Sequence, residues 1–284
     1  MESNHSVHWL KAWGGAILST AILNFFAISI QLTVQYITMN TPIPFMLTGI
    51  VFAILYPLLT FLCLRILIEK LFKIPLKTLR FTRFKINPGG ILIAALLPCS
   101  IILAYCCVPG EWLMTTQINI QNIIYGIIMY GIAVGITEEM VSRGVIMGLF
   151  EKCYNIRIAI ILSSVLFAAM HVINGALSLV SFIQLIAGLT AVGVLLALIG
   201  YRYNSFWNNA LVHAVWNSLL LVILSIAPYA SRNTIWSYVL ESRSIWVTGG
   251  EFGFEASAIC FLVVLIFIAI MLVIIKKRPR IAAQ

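Results

Sequence analysis

Charge is scarce in this sequence, and one kind of charged residue is missing altogether. Lys, Arg, Asp and Glu make up 10% of the 284 residues, against 62% hydrophobic. A soluble domain is about one quarter charged. So few charges cannot cover a water-facing surface, which makes the chain an integral membrane protein. All nine acidic residues are glutamate, and aspartate does not occur. The six cysteines (Cys63, Cys99, Cys106, Cys107, Cys153, Cys260) form no C-x-x-C pair. Most lie inside apolar runs, where a thiol behaves as a small hydrophobe. A disulfide framework or zinc ribbon therefore has no support. The H-E-x-x-H spacing of many zinc peptidases is also absent. The net charge of +9 sits in short loops between apolar runs, which argues against nucleic acid as a partner.

What remains is long apolar runs. A helix needs roughly 20 apolar residues to cross a bilayer core. Eight stretches qualify, at approximately 12–37, 45–68, 90–108, 121–150, 157–175, 177–200, 205–227 and 256–275. The fold expected is all-α: a polytopic transmembrane helix bundle of about eight spans, one membrane domain over 1–284. The first run is too long for a cleavable signal peptide and reads as a permanent span. Lys70, Lys73, Lys77, Arg80, Arg83 and Lys85 lie between spans two and three. Lys152, Arg157, Arg202 and the terminal "KKRPR" fall on the same side if the count is eight, and Arg232 and Arg243 on the other. The positive-inside rule then places both termini in the cytoplasm. The segment "KIPLKTLRFTRFKINPGG" mixes bases with Leu, Phe and Ile, as a surface that lies on anionic headgroups does. Trp236, Tyr238 and Trp246, in the loop 228–255, read as interface anchors.

One run breaks the pattern. "GITEEMVSRGV" sets Glu138, Glu139 and Arg143 inside span four. A charge at mid-bilayer costs about 2.5–3.5 kcal/mol even on insertion scales, so each needs a partner or water. Glu139 and Arg143 stand four apart and share a helix face. They can pair, either as a structural ion pair or as part of a site. Glu138 is turned about 100° away. It is the surplus carboxylate, and a functional-site candidate.

Two of the four histidines also lie in apolar runs: His171 in "FAAMH" and His213 in "HAVWN". His5 and His8, at the N-terminal tip, carry no expected role. At 1.5 Å per residue, Glu138, His171 and His213 lie roughly 18, 21 and 12 Å from the cytoplasmic ends of their spans. They are compatible with one polar layer. Asn217, four residues after His213, projects from the same face, and the two make a donor pair suited to an oxyanion. Phe167 stands four before His171 and reads as the wall beside it.

Taken in order, "EEMVSR", "FAAMH" and "HAVWN" resemble the motifs E-E-x-x-x-R, F-x-x-x-H and H-x-x-x-N of the CPBP intramembrane proteases. That family includes type II CAAX prenyl endopeptidases and bacterial proteins linked to bacteriocin processing and self-immunity. The resemblance covers about 121–226 and implies a peptide hydrolase. Glu138 would be the general base on a water, and His171 would hold that water. His213 and Asn217 would stabilise the oxyanion, while Glu139 and Arg143 organise the site. The implied partners are the bilayer and a membrane-associated or lipidated peptide or protein substrate, in a multi-pass protein of a bacterial cell membrane. A site without cofactor is expected. The alternative is zinc on Glu138, His171 and His213, with Glu139 left as base. Two other readings compete: a non-enzymatic immunity or partner-binding member of the family, and a proton-coupled transporter, since intramembrane Glu, His and Arg also mark ion paths.

Overall fold

The computed structural model describes residues 7–174 and 178–277. His5, and Arg278 and Arg280 of the basic tail, lie outside them. Six helices are long and apolar enough to cross a membrane: α1 (Trp9–Asn40), α2 (Phe45–Leu71), α3 (Pro88–Cys106), α4 (Ile120–Cys153), α6 (Leu179–Tyr203) and α8 (Ala258–Lys277). Two expected spans are shorter. α5 (Ile156–Met170) has 15 residues. α7 (Trp207–Asn217) adds a π-helical turn, Ser218–Ile223, and stops there. These two carry the membrane histidines. Each ends near the polar cavity, α5 at His171 itself and α7 ten residues past His213.

Local chemistry sets the ends. Asn155 caps α5, its side chain accepting from Arg157 N and Ile158 N. Ser178 caps α6 in the same manner. Asn204, at φ 49, stops α6 with a left-handed residue. His8 also does more than expected, since its Nδ1 accepts from Leu10 N and caps α1.

The molecule is not wholly helical. Beyond α3 and α7 the chain forms a three-stranded sheet in the order β1 (Gly110–Met114), β3 (Trp236–Leu240), β2 (Leu224–Ala227). β1 pairs antiparallel and β2 parallel with β3. Alternating "LSIA" and "WSYVL" fit a half-buried strand, so Tyr238 is no interface anchor. It is 5% exposed, and its hydroxyl donates to Val108 O. Trp236 and Trp246 are exposed, at 41% and 59%.

Most of the basic residues gather at one end, with Arg232 and Arg243 beside the sheet strands. Lys11 Nζ donates to Phe72 O, Trp13 Nε1 to Tyr154 Oη, and Trp207 Nε1 to Thr82 O. These bonds tie the start of α1, the segment 72–87, the α4–α5 turn and the start of α7 together. The basic segment does not lie free on its surroundings. Ile74, Leu76 and Leu79 are buried, and the buried Arg80 pairs with Glu151 at 2.5 Å. Lys73, Lys77, Arg83, Phe84 and Lys85 remain exposed. The sheet sits at the opposite end.

Candidate active site

Glycine decides how closely α4 meets α7. A Cβ on Gly135 would lie 3.0 Å from the backbone N of Ala214, and one on Gly131 would overlap the Ser218 hydroxyl. Small residues let membrane helices approach this closely. The approach sets the glutamates of α4 beside His213 of α7.

The pair inferred from spacing forms. Arg143 Nη1 donates to Glu139 Oε1 at 2.7 Å, with both side chains fully buried. Arg143 Nη2 donates to Gly193 O of α6, and its guanidinium lies 4.4 Å from the Phe167 ring centroid. The same Glu139 Oε1 accepts from His213 Nδ1 at 3.0 Å. Glu139 thus links Arg143, on its own helix, to His213 on another. A carboxylate can only accept here, so Nδ1 carries the proton and the ring orientation is set.

Glu138 points elsewhere, as its 100° offset requires. It lines a cavity of about 290 Å³ together with His171, His213 and Asn217. Its Oε2 is buried without a hydrogen bond among the described residues, 3.9 Å from His213 Nε2. His171 Nδ1 lies 2.8 Å from Phe167 O. A carbonyl only accepts, so this ring keeps its proton on Nδ1 and a lone pair on Nε2. Phe167 packs between the imidazoles, 4.8 Å from His171 and 6.0 Å from His213 between ring centroids. Asn217 is not wholly free as a donor, because one Nδ2 hydrogen goes to Tyr130 O at 2.9 Å. The second has no acceptor among the described residues.

One lining residue was not found from sequence. Glu255, in the 3₁₀ turn Phe254–Ala256 before α8, closes the far wall. Its Oε1 accepts from Trp216 Nε1 at 2.7 Å. Burial holds its carboxyl above the usual carboxylate range, partly offset by that bond and by the nearby His171 and His213. The only sequence signal was an acid beside an apolar run, with no motif around it.

Among the described residues, no group of three His, Cys, Asp or Glu side chains is gathered so as to hold a metal ion. Glu138, His171 and His213 share the cavity without closing into a ligand set.

Fold and site together define a class: an integral membrane protein that sinks carboxylates, imidazoles and a carboxamide into a cavity between apolar helices. Residues 120–219 match the family model of Rce1-like type II CAAX prenyl endopeptidases. All three motifs fall inside that match. The segment that carries the three motifs is thus similar to a family of membrane proteases. A search of curated proteins finds no match to the chain.

Proposed function

We propose that the protein is an intramembrane endopeptidase that cleaves a membrane-associated or lipidated peptide with an activated water and without a metal. The observation that carries this reading is the shared cavity, in which Glu138 presents a carboxylate oxygen with no protein partner beside two imidazoles and an amide. Glu138 and His171 Nε2 both accept, so a water between them has its hydrogens held and its lone pair turned outward. Attack on the peptide carbonyl transfers a proton to Glu138. The oxyanion receives hydrogen bonds from the free Asn217 N–H and from His213 when Nε2 is protonated. The C–N bond then breaks, and the departing amine takes the proton back from Glu138. Glu139 and Arg143 position His213 and touch no substrate.

The cavity supports water attack over a covalent nucleophile, because among the described residues no serine or cysteine lines it. The reading also includes a bacterial cell membrane as the setting and a leader peptide, pheromone or bacteriocin precursor as the substrate type. Mass spectrometry of membrane peptides from cells with wild-type protein and with Glu138→Gln tests it. Products present only with the wild type are expected. Identical peptide sets would reject the assignment.

A further inference from the structure

The cavity is closed on the side of the basic loops and open on the other. Below Glu138, every residue of α4 from 139 to 150 is buried. Phe81 of the basic segment packs there between Phe61 and Phe206, and a Cβ on Gly144 would meet its ring at 2.9 Å. Above Glu138 the walls are Tyr130, Val134, Leu221 and Val222. The same four residues line a second cavity of about 710 Å³ that extends away from the basic end.

That second cavity has a distinctive lining. None of its lining residues among those described is charged. Gln31 and Gln35 of α1, Asn122 of α4 and Asn233 of the β2–β3 connection face it. Their side-chain amides make no hydrogen bond among the described residues, although two of them stand on one face of an apolar helix. Each carboxamide both donates and accepts. An extended peptide offers the same alternation of N–H and C=O along its edge. Phe45, Tyr125 and Met129 supply apolar wall for its side chains.

We propose that this vestibule is the binding site for an extended, uncharged stretch of substrate polypeptide, received from the membrane face opposite the basic loops and led past Tyr130 to Glu138. The proposal rests on the protease reading, and it fixes the side from which the substrate arrives. The four amides are exposed, and beside a closed basic side they offer donors and acceptors that an extended peptide can use and an acyl chain cannot.

The test uses the full chain in cells and reads membrane peptides by mass spectrometry. Three strains are compared: wild type, Glu138→Gln, and Gln31→Leu with Gln35→Leu. Cuts that depend on Glu138 should fall in substrate segments on the non-cytoplasmic side. Losing two amide partners should lower their yield about tenfold. Cuts on the cytoplasmic side, or undiminished yield in the double variant, overturn the vestibule while leaving the protease intact. No Glu138-dependent product at all removes both. A second variant guards against misfolding. Met39→Cys sits at the vestibule mouth, 74% exposed, and is treated with a membrane-impermeant maleimide, the label being assigned to residue 39 by mass. Labelling from outside should stop cleavage by that same variant. Labelling only from the cytoplasm, or cleavage that persists once labelled, counts against the proposal.

Discussion

Glu139 carries more of the site than Glu138 does, although it need not touch substrate. Its Oε1 accepts from both Arg143 and His213. Breaking a buried pair by removing one partner costs about 3–5 kcal/mol. Arg143→Met should therefore lower thermal stability in detergent sharply, and Glu139→Gln in the same chain should restore part of it. Glu138→Gln should behave in the opposite way. Loss of a general base lowers turnover by about 10²–10⁴, while the melting temperature stays near wild type because the one ion-pair contact of Glu138 among the described residues is the long 3.9 Å approach of His213 Nε2. If the two variants fell together in stability and activity, the division of labour would be wrong. Glu255 gives a pH signature. Burial raises its carboxyl above the ordinary value of 4.5, so the folded state holds the proton more tightly than the unfolded chain. The stability of wild type relative to Glu255→Gln must then fall as pH rises through the carboxylate range. Melting curves of the two should meet at acid pH and separate above it, with the variant higher.

At the scale of elements, spacing revealed the helices and missed their ends. The apolar runs locate α1, α2, α3, α4, α6 and α8 to within a few residues. They overstate α5, which gives way to a 3₁₀ turn at His171–Asn174, and α7, because a run of apolar letters does not record that its last four form a strand. Leu224–Ala227 turns extended since β3 offers it a partner from 12 residues on. The α4–α7 contact was not legible either: Gly131 and Gly135 read as ordinary membrane glycines until Ala214 and Ser218 are seen against them. Gly135→Leu must push the helices apart. Overpacking costs about 1–3 kcal/mol, and Glu139 should lose His213. The expected result is a modest fall in melting temperature with a much larger fall in turnover. A variant that kept wild-type turnover would show that the contact does not set the geometry.

For the whole molecule, the asymmetry of charge predicts direction. Lys73, Lys77, Arg83 and Lys85 are exposed at one end, and the sheet forms the other. An amine reagent that does not cross membranes should modify Lys77 and Lys85 in inside-out vesicles and spare them in right-side-out ones. The reverse pattern would invert the orientation and, with it, the face to which the vestibule opens. The family match spans residues 120–219, so α1, α2, α3 and α8, and Glu255 of the cavity, owe their description to the fold itself. α1 is where that matters most, since it supplies Gln31 and Gln35.

By itself the sequence determined that lipid is the solvent, which side chains are too polar for it, and which of them share a helix face. Those properties depend on composition and on a period of 3.6 residues, and both are local. Only the tertiary structure decided that Glu139 and not Glu138 bonds to His213, that Glu255 joins the cavity from a loop, and that the polar layer is closed toward the basic end. Each of these depends on which helix lies against which, and that follows from close packing between segments far apart in the chain.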